Sequence, residues 1–241
     1  MTDAPSPRPD RPAPGSRRLP PGIEPSLYAA DLLHLGDQIH ALLAAGTTAF
    51  HVDVGDGHFI EPIALGAGVV AAAAPVIHGG GAVIDCHLMV DEPERQIDQF
   101  ADAGADHLTF HLEAAQDPAA TIARIHDAGM GAGVAIKPET TVDAAVDAAA
   151  TADMVLSMSV HPGLSGQAFL PAAVDRVVEL RRRLPPSTQI QVDGGISLDN
   201  VVTLADAGAE LFVAGSSVFW HGDPAVGFGE LRTALDSRSA P

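Results

Sequence analysis

Two short stretches of the chain place a histidine and an aspartate two residues apart: His51 with Asp53, and Asp85 with His87. Both lie in apolar runs of the kind that form buried strands, where residues i and i+2 point to the same face. The two side chains of each pair therefore point in the same direction, into an apolar interior. Four polar groups are costly there unless a partner neutralises them, and a divalent cation would do so.

A third acidic strand end, Asp193, would complete the shell of such a cation. The set His51, Asp53, His87 and Asp193 offers two imidazoles and two carboxylates, which suits Zn²⁺, Fe²⁺, Mn²⁺ or Co²⁺. We therefore predict one bound divalent metal ion. Asp85 lies one step deeper than His87 along the same strand, and we interpret it as a supporting or structural group.

The two aspartates of this set also suggest proton transfer. Asp53 and Asp193 lie at the C-terminal ends of the second and the seventh predicted strands, which are roughly across the axis of an eight-stranded barrel. Carboxylates on opposite faces of a bound carbon act as general base and general acid. The metal would polarise a neighbouring carbonyl and stabilise an enediolate. The alternative is that both aspartates are metal ligands only.

A repeated pattern predicts the elements that position these residues. Alanine-rich helical stretches end at a glycine and are followed within a few residues by a short apolar strand. Four copies read ALLAAG, QFADAG, RIHDAG and TLADAG. Their glycines are predicted to adopt the left-handed conformation just after each helix. These glycines are Gly46, Gly104, Gly129 and Gly208.

Eight predicted strands alternate with helices, which indicates a single (β/α)8 TIM barrel. The strands are Ile23–Pro25, Ala49–Val54, Val83–Met89, His107–His111, Gly133–Ile136, Met154–Ser159, Gln189–Val192 and Leu211–Ala214. An open doubly wound sheet is the alternative, but it usually has a glycine-rich fingerprint after its first strand. The predicted domains are a disordered Pro/Arg-rich tail at 1–22, the barrel at 23–236 and a C-terminal tail at 237–241.

Three glycine-containing loops follow the last three predicted strands, where barrels often bind a phosphate. They run over residues 161–167, 193–196 and 214–217. Lys137, the only lysine, lies near the end of the fifth strand. It is predicted to orient substrate or to lie on the rim, and the alternative is an aldolase that forms a Schiff base through it.

The other histidines divide into two groups. His111 and His161 are candidates to line the pocket. The rest are expected at helix or loop surfaces: histidines 34, 40, 58, 78, 107, 126 and 221.

Composition narrows the class of protein. The net charge of −18 argues against a nucleic-acid partner. No apolar run is long enough for a membrane span. Cys86 is the only cysteine, which fits a reducing compartment, and the cytoplasm is the expected location. Barrels of this size often dimerise or form hexamers, so we expect a homo-oligomer.

Several blocks together resemble the ribulose-phosphate 3-epimerase family over about residues 22–236. They are IEPS from Ile23, HVDVGDGHF from His51, DCHLM from Asp85, the loop from Met158 to Gln167, VDGGI from Val192 and AGS from Ala214. Their order along the chain is also that of the family.

The resemblance implies a barrel that epimerises D-ribulose 5-phosphate and D-xylulose 5-phosphate at C3. It implies metal ligation by His51, Asp53, His87 and Asp193, with Asp53 and Asp193 as catalytic residues. Substrate contacts would come from Ser26 and His87. The sugar phosphate would be held by Gly163, Leu164, Ser165, Gly166, Gly194, Gly195, Gly215 and Ser216.

Departures from the family pattern concern the pocket. The family usually has Met at position 55, and Gly55 is expected to widen the site. The phosphate loop differs at His161, Leu164 and Ser165, and Glu24 places another acid near the pocket. These departures leave open an epimerase of another ketose phosphate, such as allulose 6-phosphate, and a phosphosugar-binding barrel without catalysis.

Overall fold

The computed structural model of the protein describes residues 17–220 and 222–238. Most of the predicted N-terminal tail, the last three residues and His221 lie outside the described residues. In the described part, strands and helices alternate from β1 to α9. The strands are β1 Gly22–Pro25, β2 Ala49–Gly55, β3 Val83–Met89, β4 His107–His111, β5 Gly131–Ile136, β6 Met154–Met158, β7 Gln189–Asp193 and β8 Leu211–Ala214.

The helices surround the sheet, and two single 3-10 turns occur at Leu27–Ala29 and Pro93–Arg95. The α-helices are α1 Leu35–Ala44, α2 Ala67–Gly79, α3 Ile97–Ala103, α4 Pro118–Asp127, α5 Val142–Ala148, α6 Ala172–Arg183, α7 Val201–Ala207, α8 Ser216–Phe219 and α9 Pro224–Asp236. None of the helices within 17–220 and 222–238 is long and apolar enough to cross a membrane.

All paired strands run parallel, in the order β1-β8-β7-β6-β5-β4-β3-β2. Between β1 and β2 the described backbone makes a single bridge, from Ser26 to His51, so the barrel is nearly closed. The predicted (β/α)8 fold is confirmed. A parallel sheet needs helices to connect its strands, which is why the alternating pattern predicts this architecture.

The core lies between the sheet and its ring of helices. Phe50, Val52, Ile84 and Leu88 point outward from β2 and β3 and are fully or almost fully buried there. Because side chains alternate along a strand, the residues between them point into the barrel. These inward positions are unusually polar in this chain, and they form the candidate site.

Glycines end four helices as predicted. Gly46, Gly104, Gly129 and Gly208 have φ angles of 93, 102, 83 and 111°. Only glycine adopts this left-handed backbone without steric cost, and there it allows the chain to turn from helix to strand. The turn fixes where each strand begins and therefore how far its last residues project into the site.

The end of the barrel opposite the site is covered by part of the segment that the sequence assigns to the tail. Leu19 is buried against Met154 and Leu211. Its backbone N–H donates to the Gln189 side chain at 2.8 Å, and its carbonyl accepts from the Gln189 amide at 3.0 Å. Leu19, which the sequence assigns to the tail, is therefore packed on the barrel.

Candidate functional site

A cavity lies at the C-terminal ends of the strands, where the functional groups of barrels collect. Both catalytic candidates, Asp53 and Asp193, line it, together with residues of the three glycine-containing loops. Its other side chains are mainly small or apolar. They include Ser26, Tyr28, Met89, Met158, Val160, Leu164, Ser165 and Ile196.

The four predicted metal donors converge at the bottom of this cavity. The four donor atoms, one each from His51, Asp53, His87 and Asp193, all lie within 4.8 Å of one another. Nε2 of His51 is 3.4 Å from Oδ1 of Asp53, and Nδ1 of His87 is 3.3 Å from the same oxygen. Nδ1 of His87 is also 3.6 Å from Oδ2 of Asp193. The structure thus brings together donors from β2, β3 and β7.

The chemistry of this set fits a divalent cation. His51 is fully buried, and its Nδ1 is 2.8 Å from Oδ2 of Asp85. Its Nε2, which faces the cluster, has no hydrogen-bond partner among the described residues. A buried nitrogen without a partner is costly, and a metal ion at this point would satisfy it. The Asp85 carboxylate would fix the His51 tautomer that leaves the Nε2 lone pair available.

The electrostatics of the cluster separate its two aspartates. Burial alone would raise the pKa of Asp53, but the neighbouring imidazoles of His51 and His87 lower it well below its usual range. Burial, followed by the charge of Asp53, raises the pKa of Asp193. The two aspartates of the cluster therefore lie in different electrostatic surroundings, Asp53 against two imidazoles and Asp193 against a neighbouring carboxylate.

Asp53 has a further partner on the first strand. The hydroxyl of Ser26 donates to Oδ2 of Asp53 at 2.5 Å, while the other oxygen, Oδ1, faces the two histidines. Both oxygens of Asp53 are therefore engaged. The contact places the Ser26 hydroxyl at the same edge of the cavity as the aspartate.

The predicted phosphate loops lie side by side along one wall of the cavity. Gly163, Gly166, Gly194 and Gly195 have positive φ angles of 131, 80, 119 and 64°. A β-carbon at Gly194 would lie 2.4 Å from Cγ2 of Val160, so this position has no room for a side chain. At these glycines the loops present backbone rather than side chains, as close approach to a phosphate requires.

Two groups hold the loop over residues 161–167 in place. The side-chain amide of Gln167 donates to the carbonyls of His161 and Leu164 at 2.7 and 2.9 Å. The ring of Trp220 packs against Gly166, where a β-carbon would lie 2.7 Å from a ring carbon. His161 lies on the exposed rim beside Glu139 rather than in the cavity wall.

The expected widening of the pocket at Gly55 is wrong. A β-carbon at Gly55 would lie 2.6 Å from Cδ1 of Ile60 and 2.8 Å from the carbonyl oxygen of Pro62. The loop after β2 folds back and fills this space with the buried side chain of Ile60. The glycine is therefore explained by the close approach of this loop and not by a larger cavity.

Glu24 lies deeper than expected. It is fully buried, accepts a hydrogen bond from the Gln191 amide, and has Oε2 3.9 Å from Nδ1 of His51. Burial and the nearby charge of Asp85 raise the pKa of Glu24 well above its usual value. Gln191 also donates to Asp85 at 2.8 Å, so one amide links the two carboxyl groups beneath the candidate metal site.

His107 belongs to the same deep layer, and its expected surface position is wrong. It is 1% exposed, and its Nδ1 lies 3.3 Å from Oδ1 of Asp85. The reason is its place in β4, where it is paired with Asp85 across the strands and points into the barrel. Residue type alone predicts a surface histidine, but the strand register decides the side.

His111, a candidate for the pocket wall, does not line the cavity and lies behind His87, together with Glu113, which sequence reasoning missed. Nε2 of His87 is 3.0 Å from Nε2 of His111, whose Nδ1 is 2.9 Å from Oε2 of Glu113. Burial lowers the pKa of His111 to about 4. Burial alone would raise the pKa of Glu113, but hydrogen bonds from its partners lower it to about 2. The spacing of His111 and Glu113 is the same i, i+2 signal that marks the metal donors.

Lys137 lies outside the cavity wall. Its ammonium group is 3.9 Å from the centre of the Phe59 ring, a cation–π contact. Because it is turned toward this ring and does not line the cavity, nothing in the geometry supports a Schiff base through Lys137.

Comparison with known proteins gives a consistent result. Residues 22–219 match the model of the ribulose-phosphate 3 epimerase family. The chain is 41% identical over 217 residues to the ribulose-phosphate 3-epimerase of Candida glabrata, covering 85% of this chain and 88% of the relative. It is 37% identical over 216 residues to that of Escherichia coli, covering 88% and 95%.

Solved structures show the same fold at low identity. The 3-hexulose-6-phosphate synthase from Salmonella typhimurium superposes with a TM-score of 0.70 at 18% identity, covering 90% of this chain and 99% of that one. Orotidine 5'-phosphate decarboxylase from Pyrococcus horikoshii gives 0.65 at 13% identity, covering 90% and 100%. At these identities the likeness concerns the barrel fold alone.

Proposed function

Because this chain belongs to the ribulose-phosphate 3-epimerase family, we propose that it interconverts D-ribulose 5-phosphate and D-xylulose 5-phosphate by inverting C3. Family membership makes it an isomerase of the epimerase type that acts on carbohydrates. The observation that supports the specific reaction is the convergence of Asp53 and Asp193 with two buried imidazoles in one cluster.

Proton transfer at C3 is assigned to the two aspartates. Inversion requires a base that removes the C3 proton from one face and an acid that delivers a proton to the other. Asp53 comes from β2 and Asp193 from β7, and both line the cavity. In the reverse reaction the roles of the two carboxyl groups are exchanged, so neither aspartate is only an acid or only a base.

His51, Asp53, His87 and Asp193 would hold one divalent cation, for which Zn²⁺, Fe²⁺, Mn²⁺ and Co²⁺ are the candidates. Bound there, the cation would supply a Lewis acid that polarises the ketose carbonyl. The His51 and His87 side chains are both fully inaccessible to solvent, so their nitrogens are shielded from bulk water.

The phosphate of the substrate is assigned to the glycine-containing loops. Their positive-φ glycines present backbone N–H groups where a side chain would block approach. The overall charge of −18 repels anions at long range, so local backbone dipoles must hold the phosphate. We assign this role to Gly163, Leu164, Ser165, Gly166, Gly194, Gly195, Gly215 and Ser216, and contacts to the sugar to Ser26 and His87.

The pentose substrate is preferred over allulose 6-phosphate. A larger sugar would need an opening at Gly55, and Ile60 occupies that space. The single, buried cysteine supports a reducing compartment such as the cytoplasm. A homo-oligomer remains part of the proposal, and light scattering of the purified protein would test it.

The decisive experiment follows the C3 hydrogen. Protein loaded with metal is incubated with ribulose 5-phosphate or allulose 6-phosphate in D₂O, with and without a chelator. Xylulose 5-phosphate deuterated at C3 is expected from the pentose, and the chelator should stop its formation. Metal-loaded protein that exchanges only the hexulose phosphate would reject the pentose assignment. Asp193→Asn should no longer form deuterated xylulose 5-phosphate, whereas the matched control Asp199→Asn should still form it.

A further inference from the structure

The imidazole of His87 is held between two sets of partners. Its Nδ1 faces the carboxylates of Asp53 and Asp193, at 3.3 and 3.6 Å. On the opposite edge, its Nε2 is 3.0 Å from Nε2 of His111. Both rings are completely buried. The orientation of the ring therefore leaves Nδ1 as the only nitrogen of His87 that faces the candidate metal site.

His87, His111 and Glu113 form a series of hydrogen bonds, and Glu113 determines which group donates in each of them. Between two imidazole nitrogens, one must donate and the other accept. Nδ1 of His111 lies 2.9 Å from Oε2 of Glu113, and an ionised carboxylate only accepts. His111 therefore carries its proton on Nδ1 and accepts on Nε2. His87 must then donate from Nε2.

Glu113 is itself firmly placed. Its other oxygen, Oε1, accepts from the backbone N–H of Lys137 at 2.9 Å and from the Thr140 hydroxyl. The ring of Phe59 lies against His111, with centres 4.7 Å apart, and the Lys137 ammonium covers Phe59. The carboxylate cannot rotate away without losing these donors, and the aromatic cover keeps water from His111.

We propose that His111 and Glu113 are positioning residues that turn the Nδ1 lone pair of His87 toward the metal ion. The inference rests on the proposed metal site and extends it. Asp85 would do the same for His51 from the other side, so that each imidazole of the cluster has a carboxylate-fixed proton on the edge remote from the metal. For His87 that control passes through a second imidazole.

Two substitutions separate hydrogen bonding from packing. His111→Phe keeps an aromatic ring against Phe59 and His87 but removes both nitrogens. His111→Gln keeps an oxygen that accepts and an amide that donates, so it preserves the polarity of the chain. Glu139→Gln, which removes an exposed carboxylate on the same rim, is the control for a general change in charge.

The first measurement is Zn²⁺ and Co²⁺ affinity, by competition with a chromophoric chelator. His111→Phe is expected to weaken binding by about 10- to 100-fold, the usual effect of losing an outer partner of a metal-bound histidine. His111→Gln and Glu139→Gln should bind close to the unaltered protein. Equal affinity of His111→Phe and the unaltered protein would overturn the proposal, as would a loss of the same size in His111→Gln.

The second measurement reads the tautomer of His111 directly, by ¹⁵N NMR of imidazole-labelled protein without metal. A proton on Nδ1 is expected, and a proton on Nε2 would reject the relay. This readout does not depend on metal binding. If the unaltered protein bound no metal, the proposed metal site would fail, and the positioning role with it, while the tautomer would still show whether the hydrogen-bond chain exists. If His111→Phe does not fold, the tautomer measured in the unaltered protein still tests the proposal.

Discussion

His51 and Asp85 face each other as register partners on β2 and β3, and Nδ1 of His51 lies 2.8 Å from Oδ2 of Asp85. Both side chains are completely buried. The next inward pair of the same register is Asp53 and His87. The two strands therefore carry the same residue types in opposite order. Asp53, His87 and His51 face the candidate metal site, and Asp85 supports His51 from one step deeper in the barrel.

This relationship predicts the effect of Asp85→Asn. The substitution removes the charge that fixes the His51 tautomer and sets an amide against the Gln191 amide, so metal affinity should fall by about 10- to 100-fold. Chelator competition measures the change. Asp106→Asn is the control, because it alters a second histidine–aspartate contact, with His78, outside the cluster. Equal losses in the two variants would contradict the assignment.

If Asp53 and Asp193 are the two acid–base groups, replacing either one should affect inversion at C3 more than exchange of the C3 hydrogen with solvent. Asp53→Asn and Asp193→Asn should each lower the rate of inversion by about 10²- to 10⁴-fold, the usual contribution of a positioned acid or base. Each variant should still exchange the C3 hydrogen of one epimer with solvent faster than it inverts that epimer, because one carboxylate remains. The metal content of both variants is measured alongside. Inversion at the full rate in either variant would rule out the assignment.

Residues close together in sequence made much of the site predictable. His51 with Asp53, and Asp85 with His87, share a face through simple strand alternation, and the glycines after the helices mark where strands begin. Seven of the eight predicted strands agree with the structure to within one residue at either end, and the fifth begins two residues earlier, at Gly131.

The rest depends on contacts between distant parts of the chain. Glu24 meets Gln191 across 167 positions, and no local pattern reveals that one amide joins two carboxyl groups. His107 is polar by type but faces inward because of the register of β4. Ile60 reaches Gly55 only through the path of the loop after β2, and loop paths do not follow hydrophobic periodicity.

The Gly55–Ile60 contact predicts a packing conflict. Gly55→Met should destabilise the protein by about 1–3 kcal/mol, because the added side chain competes with Ile60 and the Pro62 carbonyl. Adding Ile60→Ala should recover part of that loss, which a double-mutant cycle of urea midpoints would detect. Gly66→Met, where a β-carbon meets no atom within 4 Å, is the matched control. Strict additivity of the two substitutions would show that the residues do not compete.

The phosphate loop can be tested at Gly166. Alanine at this position meets a φ of 80° and the Trp220 ring, so the loop must shift and KM for the ketose phosphate should rise more than kcat falls. Gly81→Ala imposes the same φ of 80° with no atom within 4 Å and should leave KM unchanged. Trp220 is the only tryptophan, so its fluorescence should also respond to inorganic phosphate in the unaltered protein. An unchanged KM in Gly166→Ala would place the phosphate elsewhere.

The single bridge between β1 and β2 links closure of the barrel to formation of the candidate metal site. Ser26 forms that bridge with His51 and also donates to Asp53, so the residues that seal the sheet are residues of the cluster. If β1 and β2 separated, two strand edges would be exposed, and exposed strand edges are surfaces through which proteins aggregate. The arrangement of donors would also be lost. Because the same contacts close the barrel and arrange the donors, catalytic activity requires that β1 and β2 have come together.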